Sequence, residues 1–230
     1  MNRPPRPSPQ LVLAMLADAR LPTGAHAHSA GLEPAVLAGV SDGGRRLWEV
    51  PALARSRLRT VTATEAGTAV VARRHHLEGR SLSEVEDAWS ARTPSGAARA
   101  ASRQLGRGYL RLARGLWSDT VGAAFDGEPA PPRPLVLGVL GAVTGLTARQ
   151  VAQLVGYDDV QTIASAALKL IPLDPVVAAR WVLELHADIE VLADEVERLT
   201  VPTQIPARGA PVLDGDAERH AVAARRLFHA

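Results

Sequence analysis

The chain has 230 residues, 47% of them hydrophobic but only 3% aromatic, a formal net charge of +2 and no cysteine. That length buries a sizeable core, and a core of Leu, Val and Ala rather than rings favours helices packed on helices. Without cysteine there is no disulfide, no thiolate chemistry and no sulfur-ligated zinc site, so any metal must be held by His and carboxylates.

Arg3, Pro4, Pro5 and Pro7 open the chain where a secretory leader would carry a basic and then an apolar region, so a cytoplasmic location is expected. Ser8 and Pro9 suit an N-cap and first helical position, and Leu11, Leu13, Met15 and Leu16 predict a helix over Pro9–Ala19. The next stretch, Leu21 to Glu33 (LPTGAHAHSAGLE), is the densest in special residues. Pro22 and Gly24 predict a turn, Ser29 before Gly-Leu-Glu a helix start, and Pro34 a helix that starts late or kinks. His26 and His28 point to the same side if this loop is extended. Two imidazoles are too few for a tight metal site, and packed or hydrogen-bonded rings are the expected state.

A Gly-rich turn at Asp42–Gly44 leads into a long helical region from Trp48 to His76, interrupted near Gly67. Arg55 and Arg59 share a face of it, the best local basic patch and one expected to be solvated helix surface. His75 and His76 are adjacent and diverge by ~100° on a helix, so they cannot chelate together. Ser81 with Glu84 reads as a capping box, and Thr93 before Pro94 as the start of a helix reaching Trp117. Thr120 to Pro134 is a Pro- and Gly-rich surface loop, and Leu135–Ala142 is apolar all round, which makes it the central buried helix. The uncharged stretch Pro134 to Ala148 is too short for the ~20 residues that a bilayer crossing needs, so no membrane is implied.

Thr147 with Gln150 forms a capping box, Gly156 breaks the chain, and Asp158 caps a helix to Leu170. Read that way, Leu146 to Leu170 has the outline of a helix-turn-helix DNA-binding unit. Asp158 and Asp159 would then face phosphates, which argues against nucleic acid. Asp174–Pro175 opens a helix with a clear apolar stripe: Val177, Trp181, Leu185, Ile189, Leu192, Val196 and Leu199. His186 and Glu190 lie four apart on it and suit a surface ion pair or, less well, a metal pair. Pro202 to Pro211 is an irregular link, and Asp216 to Ala230 returns to helical composition as part of a docking tail over 212–230. Leu227 and Phe228 would fray there unless docked. Lys169, the single lysine, either satisfies helix-end carbonyls or serves as a buried functional amine.

No H-E-x-x-H, phosphate-binding Gly-rich loop or G-x-S-x-G elbow occurs, so the common hydrolase and nucleotide signatures fail. No β-branched period-two run occurs either. The reading is all-α, a single domain over 1–230 with roughly ten helices and no sheet, and no enzymatic role or cofactor. A His/carboxylate metalloenzyme is a third and weaker alternative.

Three stretches together resemble the UreF family of urease accessory proteins. Pro22, Gly24, Ser29, Gly31, Leu32 and Glu33 match its Pro-x-Gly...Ser-x-Gly-Leu-Glu signature, Ala166–Leu173 its second signature, and Arg226, Leu227 and Phe228 its Arg-Leu-Phe terminus. The likeness runs from about residue 11 to the end. It departs at His26, where the family usually has Phe or another ring, at Asp174–Pro175, at Ala221 after His220, and at His229–Ala230. Ring for ring, His26 is then expected to pack. The resemblance implies an all-α, non-catalytic chaperone component that dimerises, binds UreD (UreH in some systems), and recruits and modulates the GTPase UreG so that nickel reaches apo-urease. It marks His28, Ser29, Glu33, Lys169, Arg226, Leu227 and Phe228 as scaffold or partner-binding positions. The exposed tail would fold on its partner.

Overall fold

The computed structural model describes residues 8–117, 121–125, 130–224 and 226–228. Among these there is no strand, as the all-α reading expects. The helices are α1 (Pro9–Leu16), α2 (Leu32–Leu37), α3 (Glu49–Arg59), α4 (Val61–Leu77), α5 (Ser83–Arg92), α6 (Gly96–Leu116), α7 (Arg133–Thr144), α8 (Ala148–Leu170), α9 (Pro175–Glu184), α10 (His186–Val196) and α11 (Pro211–Ala221). Single 3-10 turns at Ala25–Ala27, Asp42–Gly44, Gly122–Ala124 and Pro202–Gln204 punctuate the connections.

The centre is built from α4, α7 and α8. Helix α7 is the all-apolar segment predicted to be central, and every residue from Leu135 to Gly141 is buried. It lies close against α4 because Gly138 has no side chain: a Cβ there would stand 2.4 Å from the Ala69 carbonyl oxygen. Helix α4 answers with small residues, and Thr62 through Ala72 are all buried. Helices α9 and α10 cover one side of α8, while α6 covers α7.

Several element ends differ from the sequence expectation. The interruption between α3 and α4 falls at Thr60 (φ −123°, ψ −92°), whose hydroxyl donates back to the Ser56 carbonyl at 2.9 Å, and α4 runs unbroken through Gly67. Helix α5 starts at Ser83 without the Ser81/Glu84 box, and α6 is capped by Ser95, which accepts from the Ala98 amide, rather than by Thr93. The long striped helix is two, because the backbone opens at Leu185 (ψ −2°). The stripe survives that break, with Trp181, Leu185, Ile189, Leu192 and Val196 all buried.

Helix α8 overturns the helix-turn-helix reading. It is one continuous helix of 23 residues, opened by the Thr147/Gln150 capping box and containing Gly156, Asp158 and Asp159 in its interior. Gly156 serves close packing rather than a turn, since a Cβ there would come within 3.1 Å of Ile189 and 3.2 Å of Leu192 on α10. The Arg55/Arg59 face is neutralised as well, both guanidiniums reaching Asp188 at 3.0 and 3.6 Å.

Candidate functional site

The special residues of Leu21–Glu33 fold into a sharp path. Gly24 and Gly31 both adopt left-handed backbone (φ 84°), and Gly31 rather than Ser29 occupies the N-cap of α2. Ser29 is fully buried and its Oγ accepts the Glu33 amide at 3.2 Å. Pro34 is accommodated because it is the third residue of the helix, in the first turn where a proline leaves no intrahelical acceptor unfilled.

Glu33 is therefore held in the first turn of α2, buried to 5% exposure, and it receives the C-terminus of its own chain. Its Oε1 accepts the Leu227 amide at 2.6 Å and its Oε2 accepts the Phe228 amide at 2.9 Å. Two successive backbone amides pointing at one carboxylate form an anion-binding concavity, and hydrogen bonds to an ionised acceptor are the strong ones. His220, buried near the end of α11, adds its Nε2 at 3.3 Å from Glu33 Oε2 and 3.2 Å from the Phe228 carbonyl. Both neighbours are acceptors, so Nε2 carries the proton.

This clamp seats Phe228, which is 3% exposed and belongs to the main core. The Lys169 ammonium lies 5.0 Å from the centre of the Phe228 ring and donates to the His26 carbonyl at 3.3 Å. A cation over an aromatic face is attractive, and one end of α8 is thereby tied to both the opening loop and the tail. Lys169 is an exposed structural tie and not a buried amine.

Ser29, Glu33, Lys169 and Phe228, separated by up to 199 positions in sequence, are thus brought to one place. Two expectations are reversed. The tail is not an undocked segment with Phe228 exposed; it folds back on its own chain, leaving Arg226 and Leu227 outward, Leu227 at 61% exposure. The two imidazoles of the opening loop part company, His26 exposed and His28 buried at 5%, so it is His28 and not His26 that packs. Their opposite burial follows from the 3-10 turn at Ala25–Ala27, which replaces the extended backbone that would have aligned them. Among the described residues no group of three or more His, Asp or Glu side chains lies close enough to hold a metal ion. Glu190 is engaged by Arg149 at 2.5 Å, which bridges α8 to α10, rather than by His186.

A buried charge cluster lies next to this clamp, and only part of it drew attention in the sequence. Arg133, 4% exposed at the start of α7, pairs with Glu65 of α4 and with Asp158 (2.9 Å) and Asp159 (3.2 Å) of α8. Asp159 also accepts Arg57 Nε at 2.8 Å and the Thr62 hydroxyl at 2.5 Å. Burial alone would raise the Asp159 pKa, but Arg57 and Arg133 together with the Thr62 hydrogen bond hold it at about 2. Asp158 goes the other way: burial pushes its carboxyl up, against the pull of Arg133. The available signal was one arginine at the head of an otherwise apolar helix, opposite Asp-Asp inside another.

A cavity of about 280 Å³ opens over this cluster. Its floor includes Arg57, Glu65, Arg133, Asp158 and Asp159, and its walls come from the opening loop, α6 and α11. Helix α11 is fastened across it at two points. Glu218 accepts the Ser95 hydroxyl at 2.6 Å and the Ala97 amide at 2.9 Å, and Glu33 clamps the tail that follows.

Fold and site together define an all-helical scaffold in which α2 is locked to the tail residues Leu227 and Phe228, the two forming a joint surface. A sequence model of the UreF family matches residues 49–186. Proteins called urease accessory protein UreF from Mycobacterium bovis (strain BCG / Pasteur 1173P2) and Mycobacterium marinum (strain ATCC BAA-535 / M) are each 36% identical, covering 94% of this chain and 97% of their own length. One from Mycobacterium sp. (strain JLS) is 37% identical over 94% of this chain and 96% of its own. The chain belongs to the UreF family of urease accessory proteins.

Proposed function

We propose that this protein is a non-catalytic, cytoplasmic component of urease maturation that joins UreD/UreH, recruits and modulates the GTPase UreG, and so helps deliver nickel into apo-urease. In this reading it works as a homodimer within the complex and acts through surfaces rather than through a reacting group. Nickel is cargo of the assembly.

One observation carries the reading: residues of all three stretches that resemble the family converge on the tail clamp, which presents Arg226 and Leu227 outward from a hydrogen-bonded base. A preordered hydrophobic and basic edge suits a partner interface, because less ordering entropy is lost when it binds. His28, Ser29, Glu33, Lys169 and Phe228 are then the base, and Arg226 with Leu227 the contact.

The test is co-expression with UreD and UreG followed by size-exclusion chromatography. Co-elution is expected, with Leu227→Ala and Arg226→Ala weakening it while the monomer stays folded. No co-elution of the unaltered chain with either protein would sink the reading. Unchanged co-elution of the double variant would move the contact away from the tail.

A further inference from the structure

The cavity over the buried charge cluster has the chemistry of a binding site. Among the described residues three arginines (Arg57, Arg133 and Arg226) and four carboxylates (Glu65, Asp158, Asp159 and Asp214) line it, one more carboxylate than guanidinium. Two nitrogens of its lining are buried without a hydrogen-bond partner among the described residues, His220 Nδ1 and Arg133 Nε, on side chains that are 3% and 4% exposed as residues. In the Nε2–H tautomer of His220, Nδ1 is a lone pair that accepts from a donor. Arg133 Nε is an N–H seeking an acceptor. Among the described residues Asp158 accepts from Arg133 and Tyr109, both on Oδ2.

We propose that this cavity receives the side chain of a basic residue in a peptide segment of another protein, its ammonium or guanidinium donating to Asp158 and His220 and a peptide carbonyl accepting from Arg133. The extra carboxylate selects a cation. The lone pair on His220 calls for a cation that carries N–H bonds, and the Arg133 donor calls for an oxygen on the same guest. A simple amine supplies only the first, a neutral peptide only the second. The volume is near the lower end of ligand pockets, which fits a single side chain rather than a cofactor. The raised Asp158 carboxyl accords with this, since burial there is only partly offset by Arg133. The site shares Arg226 with the outward tail edge, its remaining lining is distinct from that edge, and it goes beyond the proposed partners.

The test is isothermal titration of the purified full chain with acetyl-Gly-Arg-Gly-amide, with the same peptide carrying citrulline, with methylguanidinium and with zinc ion alone. The arginyl peptide should bind saturably, and about 10- to 100-fold more tightly than its neutral citrulline twin, the range expected for a hydrogen-bonded charge. Asp158→Asn should cost a similar factor. Because that change touches the charge cluster, Ala101→Leu, which fills the cavity from α6 without altering charge, is the second variant and should also abolish binding. Equal affinity for the arginyl and citrulline peptides would overturn the proposal. So would arginyl-peptide binding that Ala101→Leu leaves intact, zinc binding that the peptide cannot displace, or no saturable binding of any probe.

Discussion

Replacing Glu33 by Gln isolates the clamp, because it keeps the shape of the side chain and removes the charge that both tail amides use. A carboxylate accepts the Leu227 and Phe228 amides on separate oxygens, at 2.6 and 2.9 Å. A glutamine has one oxygen, so one of the two amides must face an NH₂ group, donor against donor. Hydrogen bonds to a charged group are each worth about 1.5–3 kcal/mol, and a buried donor left unsatisfied adds its own cost. Part of this is recovered as the tail moves to let water in, so tail docking should weaken by about 2–4 kcal/mol. The core loses little, since α2 keeps its Ser29 contact and Leu32 stays buried. Hydrogen exchange of the C-terminal peptide reads the local opening directly, and rates at Leu227 and Phe228 should rise by roughly 30- to 1,000-fold while α4, α7 and α8 keep their protection. Unchanged tail protection in Glu33→Gln would refute the clamp. Loss of protection throughout the chain would show that Glu33 supports the core instead.

Phe228→Ala should release the same tail through lost packing rather than lost charge, with the Lys169 contact gone and exchange at Leu227 faster; exchange matching the unaltered chain would contradict the docked ring. Gly138→Ala places a methyl against the Ala69 carbonyl, and since backbone on α4 must yield, a destabilisation of about 1–3 kcal/mol or more is expected in urea unfolding; a neutral result would mean that α4 and α7 are not in this close register. Asp159 is held at about 2, below its unfolded value of 3.8, so it contributes stability that is present above pH 4 and disappears as pH falls towards 2. Measured by urea unfolding across that window, the gap between the unaltered chain and Asp159→Asn should narrow as pH falls; a constant gap would separate Asp159 from its arginine partners. Truncating Arg133 to Ala leaves Glu65 and Asp158 buried without their counter-charge and Asp159 with Arg57 alone, and should cost about 3–5 kcal/mol, whereas Arg133→Met, which fills the space but restores no charge, should do no better.

The parts of the fold legible in the sequence were those written in local chemistry. Thr147 and Gln150 announce a helix start because both halves of the capping box lie within four residues, and Asp174–Pro175 does the same for α9, with Asp174 accepting the Val176 amide at 2.8 Å. The apolar run of α7 needs no partner to be read as buried. Gly156 shows where such reading stops: the same residue permits a turn or a close helix contact, and only Ile189 and Leu192, more than thirty positions away, decide between them. The Leu185 break is equally silent, because leucine is a good helix former, and the Thr60 break is faint, because a β-branched threonine only mildly disfavours helix.

The site obeys the same division, and that explains which of its members were found. Ser29, Glu33, Lys169 and Phe228 stood out by resemblance, but their joint purpose depends on tail amides that any residue would supply, so no side-chain pattern could report it. His220 entered only as the neighbour of an altered position, yet it is what joins the tail clamp to the cavity. Its Nε2 faces the Glu33 clamp and the Phe228 carbonyl, while its ring also lines the cavity above Arg133 and Asp158. A guest that donates to Nδ1 polarises the ring and strengthens the Nε2 hydrogen bonds on the other side, because linked hydrogen bonds reinforce one another. Filling the cavity should therefore slow exchange at Leu227 and Phe228, and the arginyl peptide titrated into the unaltered chain provides the measurement. If the tail amides exchange at the same rate with the cavity full and empty, the two sites are energetically independent and His220 is only their shared wall.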